Sequence, residues 1–238
     1  MPVTAKVYTA RLPGGGAAVM DTRTGRGLWR HLNPTAASLW HQLAEGTPLN
    51  EAADDLTTRF VNQGADRDTV RADLAALTRQ LRDLDLLTAR SVPPPRTAVL
   101  RIRPVLPVDA PLALADRAAA TLAMAAALVL LRCTPIRISI AVARAVARIP
   151  ASPATTERAD HLFAAVRRTH SLWPGRAACL EESLACYLAA RLRGHRITWV
   201  IGARTSPAAA HAWNEAGGEV IGQRTGDRIW PYAPALRI

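Results

Sequence analysis

Cys179 and His211 are the residues of this sequence whose types and order suit joint chemistry. Pro174 and Gly175 break what precedes them, and Leu180, Leu184, Leu188 and Leu192 recur every fourth residue, which predicts a helix over 177–193 stopped by Gly194. Cys179 then falls in the first turn, where unpaired amides and the positive end of the helix dipole favour a thiolate. Strands are predicted over 197–201 and 211–215 with a loop over 203–210 between them, and Ala216-Gly217-Gly218 turns the chain into a third strand at 219–221. A helix-opening cysteine followed by a histidine on a strand packed against that helix is the order a Cys/His hydrolase needs. Taken singly, a free cysteine reads as a small core hydrophobe and a histidine as a satisfied structural group. The conjunction carries the functional reading, and mid-helix Cys186 reads as core. Cys179, Cys186, His195 and His211 lack the short ligand spacing of structural zinc sites, so neither metal nor cofactor is expected.

The run Cys179-Leu-Glu-Glu-Ser-Leu-Ala185, then Gly194, Val200-Ile-Gly202 and His211-Ala-Trp-Asn-Glu215, resembles the transglutaminase-like cysteine protease of lasso peptide biosynthesis, which removes the leader from a precursor peptide. The resemblance spans roughly the second half of the chain. In that family cysteine, histidine and aspartate form the triad, with the acid on the strand after the hairpin. The resemblance implies Cys179 as nucleophile and His211 as base, and it puts Gln223 at the third position, a departure from the family. A glutamine oxygen accepts the histidine N–H and fixes its tautomer, as asparagine does in papain-like sites, but adds no charge. Asp227, four residues on, and Glu215, on the strand face of His211, stand as alternatives.

Net charge is +11, unevenly shared: residues 1–90 hold 11 basic against 10 acidic side chains, and the remainder 19 against 9. The arginines of the second part are scattered without aromatic interleaving, which reads as a solvated surface, so no nucleic acid partner is expected. Three cysteines without paired spacing, and no apolar N-terminal signal segment, point to the cytoplasm. The most apolar run, 118–131, is short for a bilayer and flanked by charge, so no stable membrane insertion is expected. Arginines at intervals along 136–149 leave surface association as a lesser alternative.

Ahead of this lies a smaller unit. Strands are predicted over 7–12, 17–21 and 27–31, and helices from Asn33-Pro34-Thr35 through Leu43, over 51–61 and over 68–87. The pattern Leu32-Asn-Pro-Thr-Ala-Ala-Ser-Leu-Trp40, then Leu43-Ala-Glu-Gly46 and Leu84-Asp-Leu-Leu87, resembles the peptide-recognition domain of ribosomal peptide modification pathways, the family of the pyrroloquinoline quinone chaperone. That resemblance implies a leader peptide adding to the third strand at Leu28, Trp29 and Arg30 and packing on the third helix at Val70, Asp73, Leu74 and Leu77, an edge-strand mode of recognition. Ser91-Val-Pro-Pro-Pro-Arg96 reads as a stiff linker.

The expected fold is α+β: a winged-helix-like recognition domain of three strands and three helices (1–90), a linker (91–111) and a transglutaminase/papain-like cysteine protease domain (112–238). The expected function is binding of a precursor leader and hydrolysis of the leader–core bond. The family implies a further partner, an asparagine-synthetase-like lasso cyclase. A non-catalytic leader adaptor and a Cys/His acyltransferase are the alternatives.

Overall fold

The structure, a computed structural model, describes residues 6–23, 25–87, 90–92, 94–95, 101–102, 112–170, 178–222 and 232–238. Strands β1 (Lys6–Arg11), β2 (Ala17–Asp21), β3 (Leu28–Leu32) and β4 (Arg90–Val92) form one sheet in the order β3-β2-β1-β4. β3 is therefore an edge strand, whose backbone ladder is shared only with β2 among the described residues, while the His31 ring hydrogen-bonds the Arg204 carbonyl at 3.0 Å. Helices α1 (Pro34–Ala44), α2 (Leu49–Asn62) and α3 (Arg67–Asp83) follow. Two of them begin where the sequence supplies a cap: the Asn33 side chain accepts the Ala36 amide at 2.8 Å, and Asp66 accepts that of Thr69 at 2.9 Å. Val7 and Val19 on one face of the sheet pack with Leu39, Trp40, Leu56, Leu74 and Leu81 of these helices.

The opposite face of this sheet is buried as well. Tyr8, Ala10, Ala18 and Met20 join the core of the second part of the chain, so all five residues of β2 are buried. That second sheet has the order β11-β8-β9-β10-β5, built from β5 (Arg101–Ile102), β8 (Thr198–Thr205), β9 (Ala208–Ala216), β10 (Glu219–Ile221) and β11 (Ala233–Arg237). Against it lie α6 (Thr156–His170) and α7 (Cys179–Leu192), with α4 (Leu114–Cys133) packed on both and α5 (Ile136–Ala147) on α4 and α7, and a short parallel pair joins β6 (Ser152–Pro153) to β7 (His195–Arg196). Two features depart from the sequence reading. The expected linker gives a strand to each sheet, β4 to the first and β5 to the second. The expected loop over 203–210 is instead a hairpin, with β8 running to Thr205 and β9 starting at Ala208, because cross-strand pairing down to Thr205↔Ala208 extends the ladder through residues of weak strand propensity.

α4 is long and apolar enough to cross a membrane by length and composition. It nevertheless packs on α6 and α7 through small side chains, Ala119, Ala120, Ala123 and Ala127, which let the backbones approach closely. Asp116 in its first turn is clamped by the guanidinium of Arg158 (both contacts 2.7 Å) and by Arg193 Nε at 2.8 Å. These bonds, led by that from Arg158, hold its carboxyl down to about 2. The clamp ties α4 to α6 and to the end of α7.

Candidate active site

α7 starts at Cys179 itself. The Ala178 amide donates to Glu181 Oε2 at 3.1 Å, half of a capping box, and this sets the helix entry that puts the sulfur at the first position. Glu181 is wholly buried and reaches outward with its other oxygen to Arg26 Nη2 at 2.7 Å, across the junction between the two parts of the chain. Arg26 belongs to the turn between β2 and β3. The same turn accepts the Ile136 amide on the Gly25 carbonyl at 2.8 Å. The cysteine-bearing helix is thus anchored to the turn that leads into β3.

His211 is carried by β9 opposite Gly202 of β8. A Cβ at Gly202 would meet the Ala233 carbonyl oxygen at 2.4 Å and the Trp213 ring at 2.8 Å, so only glycine fits between them. The His211 ring stacks on Trp213, with centroids 6.0 Å apart, and lies 5.2 Å from Tyr232. Trp213 Nε1 donates to Glu215 Oε1 at 2.8 Å, and Arg237 pairs with the other carboxylate oxygen. Glu215 does lie on the strand face of His211, as expected, with its carboxylate bonded to Trp213 and Arg237. Gln223 and Asp227, the other two candidates for the third position, lie outside the described residues. The chain leading to them is fixed at Gly222, whose carbonyl accepts Arg167 at 2.7 Å.

Cys179 and His211 line one cavity of about 190 Å³, with Met20, Arg26, Gly27, Trp29, Ile136, Leu180, Ile201, Ala210 and Ala212. The cysteine is half-buried, Cys186 fully buried and Cys133 exposed. Burial pushes the Cys179 thiol up, and Glu181 and Glu182 push the same way, against the amides of Ala212 and Leu180 that donate toward the sulfur. Burial first, and then the two glutamates, outweigh these amides, so the net pull is away from the thiolate that a helix start favours. Burial raises Cys186 further, in keeping with a core thiol. No group of three or more metal-ligating side chains occurs among the described residues.

The residues expected to bind a leader separate into two places. Val70, Asp73, Leu74 and Leu77 line a groove of about 460 Å³ with Asn33, Thr35, Phe60 and Gln80. Leu74 is nearly wholly buried and forms the floor, while Val70 and Leu77 are half-buried. On β3, Leu28 is exposed and Trp29 and Arg30 are half-buried. Strand alternation sends Trp29, paired with Met20, to the other face of the sheet, away from the groove and into the cavity beside Cys179. Sequence reasoning missed Met20, Arg26, Gly27 and Ile136 as neighbours of the thiol. The unbroken apolar run Ala17-Ala-Val-Met20, which marks a strand covered on both faces, was the available signal.

Two family models match the chain. Residues 16–87 match Coenzyme PQQ synthesis protein D (PqqD), and residues 120–235 match the Transglutaminase-like superfamily. No curated protein and no solved structure matches significantly.

Proposed function

Since the chain joins a PqqD domain, which implies binding of a ribosomally made precursor peptide, to a domain of the transglutaminase-like superfamily, which includes cysteine peptidases and acyltransferases, we propose that it binds the leader of such a precursor and hydrolyses the leader–core bond. One observation carries this reading. The outer edge of β3 is unpaired among the described residues, the groove of α3 lies at its Leu32 end beside Asn33 and Thr35, and the cavity of Cys179 lies at its Leu28 end beside Gly27 and Trp29. A peptide added to β3 runs from one to the other. The scissile bond is at the leader's C-terminal end, so that end must arrive at Cys179 and the leader runs antiparallel to β3.

Binding the leader on this track raises the local concentration of the junction at the thiol without requiring tight contacts to the core peptide. Cys179 gives its proton to His211, and the sulfur attacks the carbonyl carbon of the last leader residue. His211 returns the proton to the departing amine, and water then cleaves the thioester to release the leader acid. Because burial and two glutamates disfavour an isolated thiolate, the imidazolium of His211 is the counter-charge that makes it accessible. The amide at the start of α7 stabilises the oxyanion. Gln223 orients His211 in this reading. The free amine suits a lasso peptide pathway, in which an asparagine-synthetase-like cyclase joins it to an acidic side chain, and unpaired thiols suit the cytoplasm.

Incubation with the precursor encoded nearby, followed by mass spectrometry, tests this. Wild type is expected to cut one bond and Cys179→Ala to lose at least about a thousandfold in rate, the scale of a nucleophile's removal, with leader affinity kept. A wild type that binds the precursor and leaves it whole, with the cyclase present, overturns the protease reading.

A further inference from the structure

The cavity at Cys179 has walls from both parts of the chain. Met20, Arg26, Gly27 and Trp29 come from the first, and Ile136, Leu180, Ile201 and Ala210 from the second. Arg26, at its rim, is committed to the buried carboxylate of Glu181. Apart from Arg26 and the reacting pair itself, the side chains around the space are apolar, and about 190 Å³ suits an aliphatic side chain. Gly27 keeps it open: with φ at +90°, its missing Cβ would sit 3.1 Å from Met20 and 3.5 Å from Ile136. Trp29 enters from β3, the strand that takes the leader in the reading above, and alternation points every second residue of that strand to this side.

Resting on that reading, we propose that this cavity is a composite specificity subsite, which takes the side chain of one of the last two leader residues and prefers an aliphatic chain of about leucine size, with Trp29 of the PqqD domain as the residue that sets its depth. The PqqD domain then does more than tether the substrate: the cleavage site is incomplete without it. A charged side chain would lose its water here with no partner, since the one guanidinium among the described lining residues, that of Arg26, is already paired.

The test uses the full-length chain and precursor variants in which each of the last two leader residues is set in turn to Ala, Leu, Trp or Glu, with kcat/KM read by mass spectrometry. At one of the two positions wild type should favour Leu over Ala by about tenfold, the scale on which apolar pockets discriminate, and reject Trp and Glu. Trp29→Ala should raise Trp relative to Ala by about tenfold and leave unchanged the affinity for a leader peptide that ends before those residues. Ile201→Ala, on the opposite wall, should relax selectivity in the same direction and serves if Trp29→Ala does not fold. Selectivity identical in wild type and variants, or a wild type indifferent at both positions, overturns the subsite while leaving the protease reading intact. A wild type that cuts none of the series overturns the protease reading itself.

Discussion

The two cavities at the ends of β3 differ in kind. The groove along α3 is the larger and belongs to one domain, with a single buried leucine as its floor. The cavity at Cys179 is less than half that volume, is shared between domains, and borders the ion pair that the exposed Arg26 makes with the buried carboxylate of Glu181. A binding groove gains from exposure, because an extended peptide has to reach it. Partial burial of the Cys179 nucleophile strengthens each electrostatic contact but also raises the thiol and makes its activation depend on a partner. Damage to the first should therefore weaken affinity alone, whereas damage to the second should slow chemistry from residues that never touch substrate.

Glu181→Ala is the sharpest test of that distinction. It removes the bond that fixes the entry of α7 and leaves Arg26 without its carboxylate. The expected result is a fall in kcat/KM of about a hundredfold, the scale on which small misplacements of a reacting group are felt, with leader affinity within about twofold of wild type in titration calorimetry. Equal losses in affinity and rate would mean that the two cavities are not separable. Asp116→Asn acts away from both cavities, on the clamp that ties α4 to α6 and to the end of α7. The Asp116 carboxyl is lowered from the ordinary 3.8 to about 2, so its contribution is complete above pH 3.8 and disappears as pH falls through about 2. Replacing it should cost about 2 kcal/mol near neutral pH in denaturant unfolding, and the difference from wild type should shrink in acid. Leu77→Ala should weaken leader binding by about tenfold, one buried aliphatic contact's worth. It should leave unchanged the slow cleavage of a short peptide that spans only the junction, and a rate loss there would break the comparison from the other side.

Much of this was legible beforehand. Asn33 announced its helix because a capping side chain acts on the amides next to it, a local effect. The leucine repeat from Leu180 to Leu192 fixed the start of α7 within two residues and placed Cys179 in its first turn. The hairpin through Arg204 to Ala209 was not legible, since its strands exist by virtue of each other and the stretch has neither alternation nor β-branched density. The Arg26–Glu181 pair was equally hidden: 155 positions separate the two residues, and nothing near either one signals the other. The effect of burial on the Cys179 thiol was hidden for a related reason. The helix dipole is a local property, but burial beneath another domain is not. Trp29 was named among the leader-binding residues of the third strand without a face, since a strand's alternation gives two faces without saying what covers each; the structure turns it toward the cavity of Cys179.

The sheet of the part that matches the PqqD model is covered on both sides, by its own helices on one and by the second domain on the other, where Tyr8, Ala10, Ala18 and Met20 merge into the larger core. The two domains are therefore one cooperative unit, in which melting of either exposes apolar surface of both. A lineage that divides this chain into two genes has to redesign that face or keep the products permanently associated, because either half by itself presents a sticky plane to the cell.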